Sequence, residues 1–117
     1  MSSNATQHFV LQRFTAMIQI PLVVWLVISL LRHAGDSRAD MVAWLGRPGL
    51  LGLPLTAILL GLFLVSVGYH MHLGMNDIID DYIHKKGTRG LLHTVNILFA
   101  LGMAGAGLLS IISILIV

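Results

Sequence analysis

The chain has 117 residues, of which 56% are hydrophobic and 10% are charged. A soluble domain carries about 25% charged residues, so this composition indicates a membrane protein, and we predict one domain over residues 1–117. The absence of cysteine excludes disulfides, thiolate metal sites and cysteine nucleophiles. The formal net charge of +2 comes from residues spread over loops, which predicts no nucleic-acid partner.

The first apolar run covers residues 14–31, directly after Arg13. Eighteen residues are enough to cross a bilayer as a helix. The run is too long for the apolar core of a signal peptide and lacks small residues placed for cleavage. We therefore predict a retained span that is kinked near Pro21. Gln19 lies inside this span and is expected to face protein rather than lipid.

A loop over residues 32–48 leads to the second apolar run. Within the loop, Met41–Leu45 is predicted to form a short amphipathic helix with Trp44 at the membrane interface. The second span is predicted over residues 49–83, with Pro54 near its start, where a helix tolerates proline. Its last part is polar and is expected to continue the same helix beyond the membrane.

The third span is predicted over residues 91–117, after a tight basic turn at residues 85–90. Several small residues in this span would let another helix, of this chain or of a partner, approach closely: Gly102, Ala104, Gly105, Ala106 and Gly107. His93 and Asn96 enter this span near the basic turn. The fold class is an all-α membrane protein with three transmembrane helices, and the distribution of Lys and Arg favours a cytoplasmic N-terminus.

The chemistry of the chain is concentrated at residues 69–84, which read YHMHLGMNDIIDDYIH. This stretch holds three of the five acids and three of the six histidines. Such groups are costly in lipid unless they have partners, so a cluster at the end of a span is a candidate functional site.

Helix geometry separates the groups of this stretch. Asp77 and Asp81 follow His70 by seven and eleven positions, which places each of them within roughly 20° of His70 on one face. Gly74 lies roughly 40° from that line, whereas His72 points roughly 160° away from His70. The two histidines are therefore not expected to bind the same metal ion.

Two kinds of chemistry suit this layout. An imidazole at membrane depth beside a glycine suits an axial ligand to haem iron, with the second ligand from another chain. At the membrane edge, the Tyr82 hydroxyl can donate to a quinone carbonyl while the Asp81 carboxylate takes part in proton delivery. A histidine at a span boundary and a tyrosine in an aromatic belt are the plainer alternatives, which the residues alone leave open.

The stretch also resembles a known family. A histidine in the second span, a glycine four residues later and an Asp-Tyr pair occur here as His70, Gly74, Asp81 and Tyr82. Together with the segment 8–16 and the three-span layout, they resemble the D-type hydrophobic membrane-anchor subunit of succinate dehydrogenase, respiratory complex II. The loop at 32–48 and the third span match in character only.

The resemblance implies a role in a succinate:quinone oxidoreductase of the respiratory chain and the tricarboxylic acid cycle. The chain would lie in the bacterial inner membrane, pair there with a second three-span anchor subunit of the cytochrome b type and hold haem b with it. The pair would dock the iron–sulfur and flavoprotein subunits on the cytoplasmic face. His70, beside Gly74, would ligate the haem iron, with His72 as runner-up because family members differ at that position. Tyr82 would hydrogen-bond ubiquinone, with Asp81 beside it. This chain alone is not expected to be catalytic.

Two other readings stay open at this point. In one, the chain is a small proton or ion transport subunit with His70, Asp77 and Asp81 as a relay. In the other, it is a structural anchor without a cofactor. A transporter predicts flux in liposomes without soluble partners, whereas the redox subunit predicts a partner chain and a haem absorbance.

Overall fold

The computed structural model describes residues 2–116, and side chains from residue 5 onward. Four α-helices follow one another: α1 (Ser2–Arg32), α2 (Arg38–Gly46), α3 (Leu55–Tyr82) and α4 (Lys86–Ile116). Three of them are long and apolar enough to cross a membrane, namely α1 from Ala5, α3 and α4. Over the described residues this confirms the predicted all-α fold with three spans, and the chain is an integral membrane protein.

Several helix boundaries differ from the sequence-based expectation, and α1 begins at Ser2, twelve residues before the predicted span. α3 begins at Leu55, because the preceding residues form a 3-10 turn at Leu50–Gly52 in which Leu51 and Gly52 have φ of 61° and 76°. The basic segment at residues 85–90 was predicted to be a turn, and that prediction was wrong. The Arg89 N–H donates to the Lys85 carbonyl at 2.9 Å, so this segment already forms the first turn of α4. The long apolar helix that follows supplies the packing that outweighs the low helix propensity of its two glycines.

The predicted short helix in the first loop is confirmed as α2. The Asp40 N–H donates to the Ser37 hydroxyl at 3.1 Å, which caps its N-terminus. The Trp44 ring lies 6.3 Å from the Trp25 ring and 4.6 Å from the His33 ring. These contacts hold α2 against the end of α1, while its other side packs on α3 and α4.

The central helix of the fold is α3, which packs against both α1 and α4. Its approach to α4 depends on small residues. A Cβ on Gly68 would lie 3.6 Å from the Ala104 Cβ, and a Cβ on Gly107 would lie only 2.7 Å from the Leu64 Cδ1. Some of the small residues of the third span therefore serve packing within the chain.

Candidate functional site

A polar seam runs between α1 and α3 in the middle of the apolar bundle. Its members occur in antiparallel order on the facing helices: Gln12, Thr15 and Gln19 on α1, and Asp77, His70 and Ser66 on α3. The Gln12 side-chain amide donates to the Asp77 carboxylate at 2.7 Å, and the Gln19 amide donates to the Ser66 carbonyl at 3.1 Å. The Ser66 hydroxyl donates to the Thr15 carbonyl at 3.2 Å. The expectation that Gln19 faces protein is thus confirmed, and interhelical bonds of this kind contribute about 0.6 kcal/mol each in a membrane.

His70 occupies the centre of this seam. Its Nδ1 lies 2.9 Å from the Thr15 hydroxyl oxygen. That hydroxyl has one proton and donates it to a carbonyl that can only accept, either Leu11 at 2.8 Å or Gln12 at 3.0 Å. The Thr15 oxygen must therefore accept from His70, which puts a proton on Nδ1. In the neutral imidazole this leaves Nε2 with a free lone pair, the arrangement that a metal-ligating histidine needs.

The surroundings of His70 are open toward the outside of the chain. The imidazole borders a cavity of about 440 Å³, which is formed with α1 residues that include Arg13 and Met17. One turn further along α3, a Cβ on Gly74 would meet nothing within 4 Å. The Arg13 guanidinium lies 5.3 Å above the centre of the Phe9 ring, so a positive charge stands near the cavity. The described residues contain no cluster of three or more His, Cys, Asp or Glu that could hold a metal ion by themselves.

His72 faces the opposite helix, α4, as the helix geometry predicted. The buried Asn96 side-chain nitrogen lies 3.0 Å from the His72 carbonyl and 3.1 Å from its Nδ1. The Asn76 side-chain nitrogen lies 3.4 Å from the His72 Nε2. Both ring nitrogens of His72 therefore have amide neighbours within this chain, in contrast to those of His70.

These contacts belong to a larger group, here called the α3–α4 polar cluster: His72, Asn76, Asp80, His93 and Asn96. The Asn96 amide donates to the Asn76 side-chain oxygen at 3.0 Å. The His93 Nδ1 lies 2.8 Å from that same oxygen, and its Nε2 lies 2.8 Å from an Asp80 carboxylate oxygen. From the sequence, His93 and Asn96 could be placed near the start of the third span, but their partners could not. The available signal was the spacing of polar residues: Asn76 and Asp80 are four apart on one span, and His93 and Asn96 are three apart on the next.

Asp77 lies on the same side of α3 as His70, as predicted, and contacts α1. One carboxylate oxygen accepts from Gln12, and the other lies 2.8 Å from the His8 Nε2. That separation is short enough for an ion pair, but the buried His8 nitrogen is not aligned as a hydrogen-bond donor. The alignment limits the strength of this contact, because a hydrogen bond weakens steeply as its angle closes.

Asp81 and Tyr82 stand at the end of α3, which is an unbroken helix from His70 to this point. Both side chains are exposed, Tyr82 to 76%. The Tyr82 ring borders an apolar cavity of about 410 Å³ that it shares with α4 residues such as Leu92 and Phe99. Among the described residues, neither side chain forms a hydrogen bond. The phenol and the carboxylate are therefore available to a ligand or to another chain.

Comparison with known proteins gives matches along most of the chain. The family model for the succinate dehydrogenase/fumarate reductase transmembrane subunit matches residues 2–115. The chain is also similar to the succinate dehydrogenase hydrophobic membrane anchor subunit of Rickettsia bellii (strain RML369-C). The two are 30% identical over 92 residues, which cover 78% of this chain and 68% of that protein. No solved structure gives a significant match.

Proposed function

Because the chain belongs to the succinate dehydrogenase/fumarate reductase transmembrane subunit family, we propose that it provides one axial ligand to haem b and part of the ubiquinone-reduction site. As a membrane-anchor subunit of this family it is part of an oxidoreductase complex. Succinate oxidation would take place on a flavoprotein subunit, and electrons would reach this chain through an iron–sulfur subunit.

The observation that carries the haem proposal is the contact between His70 and Thr15. It leaves the His70 Nε2 lone pair free beside an open cavity, whereas both nitrogens of His72 have amide neighbours on this chain. His70 would thus hold the iron from one side, and a histidine of a second anchor subunit from the other. The Arg13 guanidinium is placed to attract the propionate carboxylates, and Gly74 leaves room against the surface of α3. The haem, when bound, accepts and returns single electrons.

The quinone proposal rests on the free end of α3. Reduction of ubiquinone takes two electrons and two protons, so its proton donors belong at the water side of the membrane. The Tyr82 hydroxyl would donate a hydrogen bond to a quinone carbonyl, which orients the headgroup. The Asp81 carboxylate, exposed to water one residue earlier, would exchange protons with the solvent and pass them to this site.

The surfaces that this chain leaves exposed support the partner subunits that we propose. Large apolar side chains on the side of α3 that carries Tyr82 are uncovered in the chain, including Ile78 at 52% exposure, and would pack against the second anchor subunit and against lipid. At the same end, the basic residues of the segment 85–90, where α4 begins, would contact the iron–sulfur and flavoprotein subunits. Such a complex would have the N-terminus and this end in the cytoplasm of a bacterium, with the spans in its inner membrane.

Gentle purification through a tag on this chain tests the assignment. We expect a flavoprotein, an iron–sulfur protein and a second three-span chain to co-purify, together with a haem absorbance that shifts on reduction by succinate. Proton flux in liposomes that contain this chain alone would favour the transport reading instead. An intact complex without haem absorbance would favour an anchor without a cofactor.

The quinone role is tested by Tyr82→Phe, which removes only the hydroxyl. Leaving the quinone carbonyl without its hydrogen-bond donor costs about 1–3 kcal/mol, which lowers quinone reduction by about five- to 160-fold, while succinate oxidation with an artificial dye as acceptor should continue. Tyr69→Phe is the matched control, because Tyr69 lies beside His72 on another side of α3. Equal loss of both activities in the Tyr82 variant would show failed assembly rather than impaired quinone binding.

A further inference from the structure

The α3–α4 polar cluster has no part in the haem and quinone roles proposed above, yet it lies directly beside the quinone-site residues. It joins Asp80, in the last turn of α3, to His93 of α4 through a contact of 2.8 Å. Asp81 and Tyr82 follow in the same turn. The cluster therefore connects the candidate quinone site to the rest of the bundle.

The hydrogen bonds of the cluster determine which atoms face His93. The His72 carbonyl can only accept, so the Asn96 group at 3.0 Å from it is the amide nitrogen. The same nitrogen donates to Asn76 at 3.0 Å, so the Asn76 atom that faces both Asn96 and His93 is its oxygen. The His93 Nδ1 lies 2.8 Å from that oxygen, and its Nε2 lies 2.8 Å from an Asp80 carboxylate oxygen. The ring therefore contacts two side chains of α3 that are one turn apart.

The position of Tyr82 depends on the backbone of this turn, since its own side chain is 76% exposed. Asp80 and Tyr82 are two residues apart and point roughly 160° away from each other around the helix. The contact with His93 therefore holds the turn from one side and leaves the phenol free on the other. The buried Ile79 side chain and a bond from the Arg89 Nε to the Ile83 carbonyl at 3.2 Å hold the same turn.

We propose that Asp80 and His93 are positioning residues: their contact holds the last turn of α3 against α4 and so fixes Asp81 and Tyr82 at the membrane edge. The effect on quinone rests on the function proposed above, whereas the contact itself does not.

The groups that face His93 are few. From α3 these are Asp80, Asn76 and, through the two asparagines, His72. On α4 itself, Arg89 lies one turn earlier, and its guanidinium Nε is directed at the Ile83 carbonyl. Among the described residues, no charged group of α1 or α2 forms a hydrogen bond or an ion pair with His93.

Amide hydrogen exchange of residues 78–84 in the purified complex tests the contact without reference to quinone. His93→Gln and Asp80→Asn should each raise exchange by about 1.4- to fivefold, the range for a pair that is partly exposed. The double variant should exceed neither single variant, because both remove the same interaction. Asp80→Glu keeps the carboxylate and should restore much of the protection. His84→Gln is the matched control, since that exposed histidine lies outside the cluster.

Enzyme kinetics test the consequence for quinone. His93→Gln should raise the KM for quinone by about 1.4- to fivefold, with kcat and turnover of the artificial dye unchanged. Unchanged exchange in both single variants would overturn the role of the Asp80–His93 contact. Raised exchange with unchanged KM would overturn the positioning role. If Tyr82→Phe does not impair quinone reduction, the proposed quinone function fails, while the exchange result still decides on the contact.

Discussion

Thr15→Val tests the reason for choosing His70 as the haem ligand. Valine has nearly the shape of threonine but carries a methyl group where threonine has its hydroxyl. Thr15 is only 7% exposed, so water has little access to replace the lost oxygen. The His70 Nδ1–H then has no acceptor, and the ring is free to rotate or to place its proton on Nε2.

The size of the effect follows from this single lost bond. Leaving a buried donor without a partner costs about 1–3 kcal/mol. Removal of the outer hydrogen-bond partner of a metal-ligating histidine weakens metal binding by about 10- to 100-fold, which corresponds to about 1.4–2.7 kcal/mol. The two ranges agree, so we expect haem to leave the Thr15→Val complex about 10- to 100-fold faster.

Transfer of haem from the purified complex to an excess of apomyoglobin, followed by absorbance, measures this rate. Thr15→Ser is the matched control, because serine keeps the hydroxyl at the same position and should retain haem nearly as well as the wild type. A valine variant that retains haem like the wild type would refute the role of the hydroxyl. A serine variant that loses haem as fast as the valine variant would attribute the effect to packing instead.

Two further predictions concern α3 and its contact with α4. We expect His70→Ala to abolish the haem absorbance of the complex and His72→Ala to leave it in place; the reverse result would mean that the wrong imidazole was chosen. Gly107→Val should destabilise the chain by about 1–3 kcal/mol, because the new side chain would overlap Leu64 at the contact of α4 with α3. Unfolding in mixed detergent micelles measures this, and Gly102→Val, where a Cβ meets nothing within 4 Å, should cost clearly less.

Much of the central helix could be predicted from the sequence. Residues on one helix keep a fixed angular relation, so the spacing of His70, His72 and Asp77 was enough to predict that the first and third share a side and that the second faces away. The structure confirms this, since His70 and Asp77 contact α1 whereas His72 contacts α4. The three spans were likewise determined by the length and apolarity of the runs.

The partners of these side chains were decided only by the tertiary structure. Periodicity fixes angles within one helix, but it does not fix how two helices slide or rotate against each other. That register is set by close contacts such as Gly68 against Ala104, which involve residues far apart in the chain. For this reason the sequence placed a histidine at membrane depth, whereas only the packing of α1 on α3 brought Thr15 to its Nδ1 and left Nε2 free.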